Sequence, residues 1–184
     1  LRQDDVELKR LAEGIEDARK ASTQLALAQT PRVRESVQEQ IDRMNREVRP
    51  DVVVNLGDDV EDEARDLDLE RYRRVVEILS GCAAPVIHVA GNQDAALLGE
   101  DDVARIWAER GEHGAKAGRL YRSRDAGGVH LVMLHTHEIK DQKVFVEAEQ
   151  LAWLEEDLAA TRLPVVVLMH HSAADQGQTG NRWF

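Results

Sequence analysis

Short runs of apolar residues, many of them β-branched, alternate along this chain with longer stretches in which apolar residues recur every three or four positions. The short runs are typical of strands buried on both faces, and the longer spacing is typical of amphipathic helices. The predicted strands are residues 52–54, 85–89, 129–134 and 164–169. The predicted helices are residues 31–48, 69–79, 101–111 and 151–162. This alternation predicts an α/β fold with a layered core.

The first thirty residues differ from the rest of the chain. They are polar and charged, with only a marginal helical spacing. We therefore predict a helical or irregular N-terminal segment over residues 1–30 and one domain over residues 31–184. Residues 61–67 and 111–128 show no period and are rich in charge, so we predict loops there. Because the sequence starts with a leucine and stops abruptly, we expect it to be a fragment.

Polar clusters directly follow three of the predicted strands. They are Gly57-Asp58, Gly91-Asn92-Gln93-Asp94 and His170-His171. In open α/β sheets, ligands and catalytic groups collect at the carboxyl ends of strands. A carboxylate oxygen, an amide oxygen and an imidazole suit Mn²⁺, Fe²⁺ or Zn²⁺ better than Ca²⁺. Each cluster alone is equally compatible with a turn that ends a strand. Only their combination points to a metal site.

Four further residues are candidates for binding substrate or supporting the ligands. His135 and His137 lie two residues apart after a strand, so they face the same side of an extended segment and can also supplement a metal site. His171 is expected to point away from a metal bound by His170, because successive residues of a strand face opposite sides. Arg182 can bind a phosphate, since arginine matches that group with two parallel hydrogen bonds.

In this order, the clusters resemble the motifs of the calcineurin-like metallophosphoesterases. That family carries Asp-x-His, Gly-Asp, Gly-Asn-His-Asp/Glu, a later histidine and Gly-His-x-His. The resemblance covers roughly residues 31–184. It implies a mixed-sheet sandwich flanked by helices, with a two-metal centre. It also implies hydrolysis of a phosphomonoester, a phosphodiester or a pyrophosphate by a water that the metals activate.

The resemblance assigns a role to each matching residue. Asp58, Asn92 and His170 would be metal ligands. Gln93 and Asp94 would occupy the catalytic positions, with Asp94 orienting residue 93.

The chain departs from the family pattern at three places. Gln93 replaces the family's histidine, and glutamine can donate a hydrogen bond but cannot transfer a proton at neutral pH. The Asp-x-His motif has no match better than Ser22-Thr23-Gln24. Gly-His-x-His is absent from the sequence, so we expect the domain to be truncated before its last motif. These departures imply a divalent metal of the Mn, Fe or Zn type at one retained site.

Three functions remain open on the sequence. The first is a metal-dependent phosphoesterase. The second is a catalytically impaired homologue that binds a ligand or a partner. The third is an unrelated doubly wound binding domain in which Asp58 serves as a phosphoacceptor or a Mg²⁺ site.

Composition narrows the choice of partners. The 184 residues carry a net charge of −11, which argues against broad binding to a nucleic-acid backbone. A small phosphorylated substrate remains compatible, because a metal ion supplies the local positive charge. No run approaches the ~20 apolar residues of a membrane span, and the first twenty residues are too charged for a secretory signal. We therefore expect a soluble protein, with its compartment and oligomeric state left open.

Overall fold

The computed structural model describes residues 31–112, 118–139 and 143–172, and only the backbone of residues 31–36. The predicted segment 1–30, its Ser22 to Gln24 stretch and Arg182 lie outside the described residues. The elements within these ranges follow in chain order. They are α1 (Pro31–Arg43), β1 (Val53–Asn55), α2 (Arg65–Leu79), β2 (Val86–His88), α3 (Asn92–Leu98), α4 (Glu100–Glu109), β3 (Arg122–Ala126), β4 (Val129–Met133), β5 (His137–Ile139), β6 (Lys143–Phe145), α5 (Ala148–Ala160) and β7 (Val165–Leu168). A π-helical turn, Met44–Val48, extends α1.

The described strands form three sheets. Strands β1 and β2 pair in parallel. The second sheet has the order β3-β4-β7, with β3 antiparallel and β7 parallel to β4. Strands β5 and β6 form a small antiparallel hairpin. Because β1 and β2 run parallel, both deliver the residues that follow them to one edge of their sheet.

The parallel pair packs face to face with the three-stranded sheet. Val54 and Ile87 of the parallel pair share one buried cluster with Leu131, Met133 and Leu168 of the mixed sheet. The opposite face of the parallel pair packs against α1 and α2. Helix α5 lies against β3 and β4, since Asp157 accepts a hydrogen bond from Ser123 at 2.6 Å and contacts the His130 ring at 2.8 Å. The predicted α/β sandwich flanked by helices is confirmed.

Several predicted boundaries are wrong for identifiable reasons. The loop predicted over residues 111–128 contains β3, whose polar residues hid its strand character, and the turn Gly127-Gly128 joins it to β4. Helix α2 begins at Arg65 and so takes in part of the predicted acidic loop. The last strand is buried on one face only. Val165 and Val167 are 40% and 43% exposed, because no described element covers their side of β7.

Two further corrections concern the strand ends. The cluster after β2 begins helix α3 at Asn92 and does not remain a loop. The segment after β4 re-enters a strand at His137. Among the helices that the structure describes, none is long and apolar enough to cross a membrane.

Candidate metal centre

Two strand-end turns cross at very short range. After β1 the backbone takes positive φ at Gly57 and Asp58, 85° and 60°. A Cβ added at Gly57 would overlap the Gly91 nitrogen, and one added at Gly91 would overlap the Asp58 carboxylate, with its Cγ only 2.9 Å away. Glycine is therefore required at both positions, because any side chain would push the turns apart.

Asp94 fastens these turns together. Its carboxylate is fully buried and accepts hydrogen bonds from the backbone N–H groups of Asp58, Asp59 and Gly91, at 2.8, 2.7 and 2.8 Å. Burial raises the pKa of Asp94 to about 6, and the nearby Asp58 charge adds to this while the three N–H groups oppose it. The carboxylate thus positions the Asp58 turn. The expected role of Asp94 in orienting residue 93 stays a prediction.

Asp58 and His170 meet across the sandwich. The Asp58 Oδ2 and His170 Nε2 atoms are 3.2 Å apart. His170 donates its Nδ1–H to the Leu56 carbonyl oxygen at 2.7 Å, which fixes the ring with Nε2 towards the carboxylate. Burial lowers the pKa of His170, but the hydrogen bond and charge of Asp58 outweigh it, so the pKa lies above its ordinary value.

Gln93 contacts the same carboxylate, and Asn92 precedes it at the start of α3. The Gln93 backbone N–H donates to Asp58 Oδ1 at 3.2 Å. The Asn92 side-chain amide donates to Glu138 Oε2 at 2.6 Å, which leaves the amide oxygen of Asn92 as its ligand atom. Glu138 was not a candidate from the sequence, because it lies in a short polar strand that no hydrophobic pattern indicates.

Of the other histidines predicted to support the site, His171 lies beside His170. His171 contacts Thr136 Oγ1 through Nδ1 at 2.8 Å, and its ring centroid is 4.8 Å from that of His170. Strand β7 ends at Leu168, so strand alternation does not govern His171 and it does not simply point away. Burial and the neighbouring His170 lower the pKa of His171. His135 and His137 lie beside Glu100 instead.

A buried polar network supports the base of the centre. Asn55 donates from its amide to Asp59 Oδ2 at 2.6 Å and accepts from the Gly57 N–H at 3.2 Å. The same amide lies 3.2 Å from His88 Nδ1. Asp59, which directly follows the Asp58 turn, is only 2% exposed. It therefore serves to hold the turn and does not face the solvent.

A family model described as calcineurin-like phosphoesterase matches residues 30–184. The chain belongs to this family. A search of the curated proteins finds no significant match to it. The match covers the whole described fold, including both turns and the strand that precedes His170. Members of this family are metal-dependent, and membership therefore suggests hydrolase activity for this chain.

The residues present fit a divalent ion of the kind this family uses. Asp58 offers a carboxylate oxygen, His170 an imidazole nitrogen and Asn92 an amide oxygen. The separation of 3.2 Å between the first two atoms matches the spacing of about 3.0–3.5 Å between neighbouring ligands that bind one ion at ~2.0–2.2 Å. A ligand histidine usually donates its other ring N–H to a carbonyl or a carboxylate, as His170 does to Leu56. Their role as ligands stays a prediction.

Proposed function

We propose that this chain is a metal-dependent phosphoesterase that cleaves a small phosphomonoester, phosphodiester or pyrophosphate. The observation that carries the proposal is the pairing of Asp58 with His170, whose ring the Leu56 carbonyl orients. A metal-bound histidine usually donates its other ring N–H to a carbonyl or a carboxylate, as His170 does to Leu56, and an ion pair with Asp58 would show the same contact. The family membership supports the same class of reaction.

Asp58, His170 and Asn92 would hold the ion. A divalent ion bound there would neutralise phosphoryl charge and lower the pKa of a water for attack on phosphorus. The chain's own residues keep the donors in place. Asp94 holds the Asp58 turn through three backbone N–H groups, and Glu138 holds the Asn92 amide.

Gln93 limits the chemistry available to the departing group. Its amide can donate a hydrogen bond to a leaving oxygen but cannot give it a proton. His171 is near the centre, yet its lowered pKa keeps it neutral at neutral pH. The proposal therefore favours esters whose leaving group departs without protonation, such as p-nitrophenol.

The test is hydrolysis of p-nitrophenyl phosphate, its bis ester and pyrophosphate by the full chain, with and without Mn²⁺. Asp58→Asn removes the central ligand charge and keeps the side-chain shape. We expect slow Mn²⁺-dependent turnover in the wild type and a loss of at least about 100-fold in this variant, since even outer partners of metal ligands cost ~10–100-fold.

The matched control is Asp66→Asn, the same change at a fully exposed site whose only ion pair among the described residues is with Arg65, at 3.9 Å. It should leave turnover unchanged. Turnover that survives chelation, or that Asp58→Asn leaves intact, would contradict the proposal.

A second candidate is a domain that binds a phosphorylated ligand without cleaving it. Gln93 at the position of the proton-transferring histidine is the observation that favours it. Calorimetric binding of inorganic phosphate in the presence of Mn²⁺, together with no turnover of any of the three substrates, would support this candidate over the first.

A further inference from the structure

Three ligand-type side chains converge outside the Asp58 centre. Glu100, His135 and His137 place one ligand atom each within 4.8 Å of one another. The Glu100 Oε1 atom lies 3.8 Å from His135 Nε2 and 3.9 Å from His137 Nε2. We propose that these three residues form a second divalent-cation site, of the Zn²⁺ type.

The extended segment that carries the histidines separates this site from the Asp58 centre. Its contacts alternate. Thr136 contacts His171, and Glu138 contacts Asn92, both on the side of the Asp58 centre. His135 and His137 face Glu100 on the other side. Successive residues of an extended chain point to opposite sides, so one short segment supplies both groups. The proposed site therefore uses none of the residues assigned to the Asp58 centre.

The three side chains do not form hydrogen bonds with one another. Separations of 3.8 and 3.9 Å are too long for hydrogen bonds. His135 is only 3% exposed, and its Nδ1 is buried without a hydrogen-bond partner among the described residues. A buried ring with an unpartnered nitrogen is unusual. An ion bound between the two Nε2 atoms and the carboxylate would give the His135 ring a strong partner at Nε2, the nitrogen that faces Glu100, but would not reach Nδ1.

The geometry is close to what a small ion needs. Ligands that bind Zn²⁺ at ~2.0–2.1 Å in a tetrahedral site lie about 3.3 Å apart, so the two separations from Glu100 must each close by roughly half an ångström, and all three ligand atoms already lie within 4.8 Å of one another. Two imidazoles and one carboxylate select Zn²⁺ or a similar ion over Mg²⁺ and Ca²⁺, which prefer oxygen ligands alone. Three protein ligands leave one position open for water or a bound anion.

Neighbouring residues hold the His135 backbone and the His137 ring in place. Gln150, which is 1% exposed, accepts from the His135 backbone N–H and donates to its carbonyl, each at 2.8 Å. The His137 ring stacks on Phe145 of the facing strand, with centroids 5.4 Å apart. Because these contacts fix the backbone and one ring, Glu100 at the start of α4 needs only a rotamer adjustment to close the site.

The experiment uses a full chain in which Asp58→Asn and His170→Asn disable the other centre. Zn²⁺ alone is titrated by calorimetry, and the histidine ring nitrogens are followed by NMR. We expect one Zn²⁺ per chain and shifts confined to the rings of His135 and His137. Adding His137→Gln should weaken binding by at least about 100-fold, more than the ~10–100-fold typical of outer partners.

The control is His130→Gln, which removes a histidine that contacts Asp125 and Asp157 and no residue of the proposed site. It should leave Zn²⁺ affinity unchanged, and circular dichroism confirms that each variant folds. The proposal is overturned if the disabled chain binds no Zn²⁺, or if His137→Gln binds as tightly as its parent. Because the Asp58 centre is removed at the outset, neither result bears on the proposed hydrolysis.

Discussion

Replacing Gly91 with alanine should disable the Asp58 centre through steric overlap alone. Gly91 has φ −80° and ψ 172°, which alanine adopts without strain, so backbone conformation is not a factor. The new methyl group would overlap both the Asp58 backbone nitrogen and the carboxylate oxygen that accepts the Gln93 N–H, and would lie 2.9 Å from Asp58 Cγ. Non-bonded carbons rest at about 3.5–4.0 Å, so the Asp58 backbone and its carboxylate must both move by roughly 1 Å.

This displacement should lower both the stability of the fold and the affinity for Mn²⁺. Overpacking a well-filled site costs about 1–3 kcal/mol, and we expect Gly91→Ala to lower the free energy of unfolding by that amount. A carboxylate moved by 1 Å no longer lies 3.2 Å from His170 Nε2, so Mn²⁺ affinity should fall at least about tenfold. Urea denaturation followed by circular dichroism measures the first quantity, and calorimetric titration of Mn²⁺ measures the second.

Gly81→Ala is the matched control. A Cβ at Gly81 would meet only the Ile78 carbonyl oxygen, at 3.2 Å, and the Ile41 side chain at 3.7 Å. A shift of a few tenths of an ångström relieves that contact, and neither neighbour belongs to the centre. The reasoning is refuted if Gly91→Ala binds Mn²⁺ as the wild type does and is destabilised no more than Gly81→Ala.

Two further predictions concern the catalytic position and the pH dependence of folding. Gln93→His should raise turnover of p-nitrophenyl phosphate far less than the ~10²–10⁴-fold typical of general acid–base catalysis, because p-nitrophenolate leaves without protonation and because the family's other metal ligands are missing from this sequence. A gain of that size in the steady-state rate would show an intact two-metal centre. Burial, with the charge of Arg122, lowers the pKa of His88 to about 3. In the unfolded chain His88 takes up a proton near pH 6.5, whereas in the folded chain it stays neutral until the pH is far lower. The free energy of unfolding is therefore unaffected by His88 above pH 6.5 and falls as the pH drops, by about 1.4 kcal/mol at pH 5.5. Between pH 7.5 and 5.5, urea denaturation should show a loss of stability about 1.4 kcal/mol larger in the wild type than in His88→Gln. Equal pH dependence in both would contradict this prediction.

The strand-end clusters could be predicted from sequence because each follows an uninterrupted apolar run. Valines at 52–54 and 165–167 mark buried or half-buried strands without any tertiary information. Two such strands in facing sheets bring Asp58 and His170 to the same edge, although 111 intervening positions separate them in the sequence. The hydrophobic pattern thus predicted the architecture that positions these two residues.

The parts that could not be predicted lack such a pattern. Strands β3, β5 and β6 are short and rich in polar residues, so propensity gives them no distinct period. Glu138 reaches Asn92 from one of these strands. Glu100 follows a glycine that separates two short helices, and its closeness to His135 arises only from tertiary packing. A single sequence shows that the histidines face the same side but not which residue they face.

Some of the motif residues retained here have a structural role, and others would have a role in hydrolysis. Gly57, Gly91 and Asp94 hold two turns together through backbone contacts, and the fold requires them whether or not any reaction occurs. Their presence therefore carries little information about hydrolysis. Gln93 stands where the family carries a histidine. It contacts the Asp58 carboxylate through its backbone N–H, which any residue but proline supplies, so this contact does not select its side chain. The pairing of Asp58 with His170 is the part of the motif that a bound metal would use directly. For that reason the Asp58→Asn comparison tests the function more directly than any change to the glycines or to Asp94.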